Sequence, residues 1–276
     1  MLSEIELISE RLERSALESL HEHCPAEARA ALGLRLVRVK DVSVAVSSAD
    51  PSILINRAIG LGTEEPATAE TIAEVVETYR RHGYRRYGAS NYFIHVYEDE
   101  LSPEAARALD DCGLVRRRGW MKFRRDGAPA QAVATDLRIE RIGPEWADDF
   151  GRIVCDAFEM SAAARPMMAG IVHDPRWHLY VSFDGDVPAG AGALFVEDGQ
   201  GWLEWGATDP AFRRRGSQGA IMAARIDMAA ELGCENLFTE TGEAVEGDPQ
   251  HSYGNIERSG FATLGLRANY GPPPRA

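Results

Sequence analysis

Residues 201–232 read GWLEWGATDPAFRRRGSQGAIMAARIDMAAEL, and the meaning of the chain turns on them. An apolar strand is predicted over 202–208, and Asp209-Pro210 turns the chain. Arg213, Arg214 and Arg215 follow, then Gly216-Ser217-Gln218-Gly219, then a long helical pattern. In that helix Met222, Ile226 and Ala229 share a face, which Ile221, Ala224, Met228 and Leu232 widen at helical spacing. The first N–H groups of a helix have no intrahelical acceptor, and the helix dipole is positive there. Glycines let a ligand approach the backbone, and the arginines add fixed charge, so the stretch predicts a phosphate cradle. It is neither of two familiar ones: it lacks the G-x-G-x-x-G dinucleotide fingerprint and the Gly-Lys-Ser/Thr of nucleoside-triphosphate loops.

The remaining chain bounds the reading. With 276 residues, 45% hydrophobic and 26% charged, it has the composition of a well-cored globular protein of one large or two ordinary domains. No apolar run approaches the ~20 residues of a membrane span. The start, MLSEIELISERLERSAL, is acidic and amphipathic, unlike a signal peptide. Cys24, Cys112, Cys155 and Cys234 are scattered without framework or metal spacing, which predicts a reducing, cytoplasmic setting. A formal charge of -13 argues against a nucleic-acid partner. It tilts modestly toward cationic small molecules or basic proteins as substrates, although acidity that only keeps the protein soluble accounts for it better.

Along the first half, a helix is predicted over 2–20, ending in His21-Glu22-His23-Cys24. Residues i and i+2 of a helix point apart and no second ligand pair follows, so this is expected to be a solvated helix end rather than a metal site. Period-two strands fall within 33–46, an apolar segment over 53–61, a helix over 67–82 and a strand over 92–96. Ser102 and Pro103 are an N-cap and first helical residue for a short helix ending at Gly113, and 114–123 is extended. Arg116-Arg117-Arg118-Gly119 imitates the arginine turn but runs into Trp120-Met121-Lys122-Phe123, so no helix start receives an anion there. Residues 126–135, DGAPAQAVAT, read as a linker.

The second half predicts the order β-α-α-β-β-β-α-β-α-β-β. Strands fall at 137–142, 178–183, 189–196, 202–208 and 235–241, followed by a polar loop, a helix at 252–259 and a terminal extended segment. This order, with Arg213 to Gly219 between its fourth strand and third helix, resembles the GNAT superfamily of acetyl-CoA-dependent N-acyltransferases. Their pyrophosphate motif is R/Q-x-x-G-x-G/A; Arg213 and Gly216 match it, while Gln218 stands where Gly or Ala is usual and Gly219 follows. The resemblance covers 136–276 and implies a mixed α/β (α+β) sheet of the acyl-CoA N-acyltransferase fold. LDDCGLVRRRGWMKF (109–123) also aligns without gaps on IERSGFATLGLRANY (256–270). Two GNAT-like domains in tandem are therefore expected, with 1–130 degenerate: Thr63-Glu64-Glu65-Pro66 stands where the second copy has arginines, and carboxylates repel a pyrophosphate.

What the resemblance implies for chemistry is acetyl transfer from acetyl-CoA to a primary amine of a small molecule or protein, by direct attack in a ternary complex, without a metal. Arg213, Arg214, Arg215, Gly216, Ser217, Gln218 and Gly219 would hold the pyrophosphate. Gly206, Ala207 and Thr208 would offer backbone to the pantetheine arm, and Asn255 would meet its amides. The family's tyrosine acid, about four residues before Gly-Phe, is Ile256 here; Tyr253, one turn earlier, is the candidate, with Ser252 or water as substitutes. Glu204 and Glu240, on the fourth and fifth strands, are the candidate bases. Trp202, Trp205, Phe158 and Trp177 are either pocket walls or core. A competing class is a non-catalytic acyl-CoA-binding or sensing module. The acceptor and the oligomeric state are not legible.

Overall fold

The computed structural model describes residues 2–86, 89–247 and 250–274. Helix α1 (Glu4–Glu22) starts on a capping box in which Ser3 accepts from Glu6 N and Glu6 reaches back to Ser3. Then come α2 (Ala26–Leu32), β1 (Arg35–Val39), β2 (Val42–Val46), β3 (Arg57–Ile59), α3 (Ala69–His82), the two-residue strands β4 (Arg85–Arg86) and β5 (Ala89–Ser90), and β6 (Phe93–Val96). Helix α4 (Pro103–Asp111) has the expected Ser102 cap and Pro103 start, and β7 (Val115–Asp126) ends this half.

The second half gives β8 (Arg138–Arg141), α5 (Ala147–Ala157), a short α6 (Arg165–Gly170) between 3-10 turns, β9 (Trp177–Asp184), β10 (Val187–Glu197), β11 (Gln200–Thr208), α7 (Ser217–Glu231), β12 (Asn236–Gly242), α8 (His251–Arg258) and β13 (Ala262–Gly271). Asp198 and Gly199 both have positive φ, the geometry a two-residue hairpin needs to follow strand twist, and they join β10 to β11. Asp248 and Pro249, in the polar loop before α8, lie outside the described residues.

Eleven strands form one mixed sheet in the order β1-β2-β3-β6-β13-β7-β12-β11-β10-β9-β8. The expected closing pair of strands after α8 is a single strand among the described residues. Its partner comes from the other half: β7 lies antiparallel between β12 and β13, while β13 pairs in turn with β6. The two aligned stretches thus adopt one form, helix, left-handed glycine (Gly113, Gly260), strand, and their strands pair with each other. Each half of the chain places one strand inside the other's run of strands.

Alternation along β10, β11 and β12 splits their side chains between two cores. Phe195, Trp202 and Phe238 join α1, α5 and α6 on one face; Leu194, Leu203 and Leu237 join Met222, Ile226 and Ala229 of α7 on the other. A third core packs α3 and α4 on β2, β3 and β6. Leu232, read as part of the α7 stripe, is at the helix end and exposed. His21 corrects the expectation of a solvated helix end: it is fully buried under Arg29 and Arg57, and burial together with those charges lowers its pKa to about 3. No described helix is long and apolar enough to cross a membrane.

Candidate active site

Strands β11 and β12 are parallel only from Gln200↔Asn236 to Trp202↔Phe238, and then part. At the parting point Thr239 Oγ1 donates to the Leu203 carbonyl at 2.8 Å. On its other edge β11 bulges: Ala191 faces Ala207 but Ala193 faces Glu204, so Trp205 and Gly206 share one place, and Trp205 takes φ +58°. A buried arginine of α7, Arg225, supports the bulge by donating to the carbonyls of Ala193 and Glu204, both at 3.0 Å. Burial pulls its pKa down to about 10, which leaves it charged at neutrality. One signal of this stands in the sequence: an arginine inside the apolar stripe of α7.

A cavity of about 150 Å³ fills the gap between the strands. Glu204, Trp205 and Gly206 form one wall, Thr239, Glu240 and Thr241 the other. Gln218 and Met222 of α7 and Ser252 and Ile256 of α8 close one side, and Arg57 and Trp120 of the first half line it too. A groove of about 480 Å³ shares Trp120, Thr241 and Ser252 with it and is walled by Phe93, Gly119, His251 and Tyr253. Of the aromatics considered from sequence, Trp205 and Phe158 line the cavity, whereas Trp202 and Trp177 are core.

Beside the cavity is the start of α7. Gly216 is its N-cap with φ +84°, a conformation costly for residues with a Cβ, and offers no capping side chain. The first backbone bond into the helix runs from Ala220 N to Gly216 O, leaving Ser217, Gln218 and Gly219 N–H without intrahelical acceptors. The side chains of Arg213 and Arg214 are exposed and make no ion pair with a described residue. Arg215 is committed elsewhere: its guanidinium pairs with Asp136 at 2.5 Å and Asp184 at 2.8 Å, and its carbonyl accepts from Thr135 Oγ1. Ser217 Oγ is buried against Ser182 Oγ at 2.8 Å, with Thr208 Oγ1 3.5 Å away, and Ala207 is buried in the strand end. Gln218 accepts from Asn255 Nδ2 at 2.5 Å, so the residue that departs from the motif ties α7 to α8. Asn255, expected at a ligand, uses its amide on Gln218 and Arg258.

The candidate acid and bases separate. Tyr253 stacks edge-on against Phe123 at 4.8 Å and lines the groove, not the cavity; Ser252 reaches both. Glu204 accepts from Arg57 at 2.8 Å and from Trp202 Nε1 at 3.1 Å. Glu240 accepts from Arg267 at 2.7 Å; burial, then the charge of Glu13, push its carboxyl up to about 7 against the pull of Arg267. Behind them lies a buried ion cluster that the sequence reading missed. Arg267 of β13 donates to Glu10 and Glu13 of α1, and Lys122 of β7 lies 2.6 Å from Glu13 and 3.0 Å from Glu10. The available signal was charge in apolar settings: Arg57 within 53–61, and Glu10 and Glu13 one turn apart on α1. No group of metal-ligating side chains is found among the described residues.

Residues 140–253 match the family model described as Acetyltransferase (GNAT) family. No curated protein matches the chain. Among solved structures, a GCN5-related N-acetyltransferase from Kribbella flavida is similar, with a TM-score of 0.59 and 15% identity, over 93% of this chain and 96% of that one. Another from Sphaerobacter thermophilus has a TM-score of 0.60 and 15% identity, over 86% of this chain and 83% of that one. At such identity the likeness is one of fold, and it extends across both halves.

Proposed function

We propose, from the match of residues 140–253 to the GNAT acetyltransferase family, that the protein moves an acetyl group from acetyl-CoA to a primary amine of a small molecule or protein, by direct attack in a ternary complex. The observation that carries the reading is the adjacency of an uncapped helix start, flanked by Arg213 and Arg214, to a cavity between parted strands that holds two carboxylates. Free N–H groups at a helix start fit a pyrophosphate, and a Cβ added at Gly206 would meet only Arg225 Nη2, at 3.7 Å, so the bulged backbone there is open. Acetyl-CoA, when bound, supplies the thioester carbon that the amine attacks. Ser217, Gln218 and Gly219 N–H with Arg213 and Arg214 hold its pyrophosphate; the backbone of Gly206, Ala207 and Thr208 aligns the pantetheine arm.

An ammonium must lose a proton before it can attack. Glu240 is the acceptor of that proton, because a base titrating near neutrality is matched to the task. Glu204, held by Arg57 and Trp202, is the second carboxylate and orients the amine. The first turn of α8 brings two hydroxyls, Ser252 at the cavity and Tyr253 at the groove, as donors to the departing thiolate. Residues 1–130 act as a degenerate GNAT-like unit that walls the cavity through Arg57 and Trp120, and 136–276 as the working unit. A reducing compartment, the cytoplasm, suits four cysteines that are all free.

The test is incubation with acetyl-CoA and a panel of amines, read by mass spectrometry, beside thermal stabilisation by CoA. Acetylated amine with stabilisation is expected. Stabilisation with no product on any amine would assign a non-catalytic acyl-CoA-binding module instead; no stabilisation would remove both readings.

A further inference from the structure

The buried cluster behind the cavity has more negative groups than positive ones. Its carboxylates are Glu10 and Glu13 of α1, Glu204 of β11 and Glu240 of β12; its cations are Arg57 of β3, Lys122 of β7 and Arg267 of β13. His95 of β6, 4.0 Å from Glu13, is kept uncharged by burial and by Arg267, and adds nothing to the balance. Tyr97 only donates to Glu10, at 2.9 Å. Arg225, on the far wall, is spent on backbone carbonyls. Four carboxylates thus face three cations in a cluster that is buried apart from Glu204 and Glu240, whose side chains are 13% and 12% exposed where they line the cavity, and an uncompensated buried charge is removed most readily by a proton.

Geometry decides which carboxylate is left over. Lys122 is taken by the two α1 glutamates, lying 2.6 Å from Glu13 and 3.0 Å from Glu10. Arg267 spends Nη1 on Glu10 and Glu13 and divides Nη2 between Glu13, at 2.9 Å, and Glu240, at 2.7 Å. Arg57 turns its Nη2 to Glu204 at 2.8 Å and stands 4.0 Å from Glu240. Although burial works against them, Glu10 and Glu13 are held ionised by Arg267 and Lys122. Glu240 shares one nitrogen of Arg267 with Glu13, has Arg57 no nearer than 4.0 Å, and has no cation of its own.

We propose that Glu13, delivered by α1 from the other half of the chain, is a positioning residue for the acceptor site: by claiming Lys122 and Arg267 it leaves Glu240 as the carboxylate that takes up and returns a proton. The first half is then more than a wall, because it sets the protonation of a group in the second. The catalytic part of this inference rests on the acyl-transfer reading; the proton on Glu240 does not, and can be read without turnover.

The experiment is infrared difference spectroscopy of the full chain between pH 5 and 9, following the C=O band of a protonated carboxyl, in wild type, Glu240→Gln and Glu13→Gln. Wild type is expected to lose one buried carboxyl band near neutrality, and Glu240→Gln to lack it throughout. Glu13→Gln releases a share of both cations to Glu240 and is expected to move the midpoint down by about one pH unit or more. Glu10→Gln, one turn away on the same cations, must move it the same way, and Glu13→Asp, which keeps the charge, must restore it. The acid limb of kcat/KM for the amine should follow the band while KM for acetyl-CoA stays. A wild type without the band, or a midpoint unmoved in Glu13→Gln, overturns the proposal. A midpoint that moves in a protein that acetylates no amine upholds the proton assignment and removes the acyl-transfer reading alone.

Discussion

The chain builds strand, turn and helix start twice, at Arg57–Ile59 leading to α3 and at Gln200–Thr208 leading to α7, and finishes them differently. At α3, Thr68 Oγ1 accepts from Thr71 N at 3.2 Å, so the helix is capped by its own chain. The turn before it carries Glu64, gripped by Arg11 of α1 at 2.5 and 2.6 Å, and Glu65. At α7 the cap is a glycine without a side chain, and Arg213 and Arg214 stand beside it unengaged. The space between helix and strands differs in the same sense. In the first half Tyr79 of α3 stacks on Tyr92 at 3.9 Å, and its hydroxyl donates to the Ala45 carbonyl. In the second half the strands part around a cavity. A helix start capped by its own side chain and faced by carboxylates offers less to an anion than one left open beside arginines.

The largest expected effect tests whether the halves can be treated apart at all. Arg267 is the cation that Glu10, Glu13 and Glu240 share across them. Arg267→Met leaves those carboxylates buried with one fewer cation, and breaking a buried pair in this way costs about 4 kcal/mol. Chemical denaturation should show that loss in a single transition. Two transitions, with only one of them moved, would mean that the halves unfold independently.

Next comes the difference between the helix starts. Arg213→Glu with Arg214→Glu removes two charge-assisted contacts worth ~1.5 kcal/mol each, so CoA should bind about 100-fold more weakly by calorimetry. Because neither side chain pairs with a described residue, the melting temperature without ligand should hold. Unchanged CoA affinity would detach the ligand from the start of α7.

A smaller effect concerns another tie between the halves. Asp174 accepts from Ser19 of α1 at 2.6 Å and from Arg176 at 2.7 Å. Burial alone would raise its carboxyl, but Arg176 and Ser19 hold it at about 2. The folded value lies below the ordinary aspartate value of 3.8, so the stability it contributes is present above about pH 4 and is lost as pH falls through 2. Stability should therefore fall by about 2 kcal/mol more over that window in wild type than in Asp174→Asn.

Much of this was legible in the sequence because it depends on local periods. The arginine turn, the order of elements around it, the Ser102 cap and the aligned helix–Gly–strand endings were read from neighbours in the chain. What was hidden depends on pairing at a distance. Alternation shows that 115–126 is a strand but not that it pairs with residues 236–242 and 262–271. For the same reason Glu204 and Glu240 could be named as candidate bases by their strands, but not told apart. Only the partners brought by α1, β3 and β13 distinguish a carboxylate with its own arginine from one without.

The smallest effect is the one that most directly probes the contrast between the two turns. Thr68→Ala deletes the cap of α3 and should cost about 1 kcal/mol, the usual value for a Thr N-cap, read as a fall in melting temperature. It also frees an N–H at the start of α3, which makes that start more like that of α7. If the open N–H groups alone made an anion site, CoA would now stabilise the variant more than wild type. We expect no such gain, because Glu64 and Glu65 still stand in the turn and the contact of Arg11 with Glu64 holds that carboxyl ionised. A gain would shift the explanation from charge to backbone, and the acidic turn would no longer account for the contrast between the two helix starts.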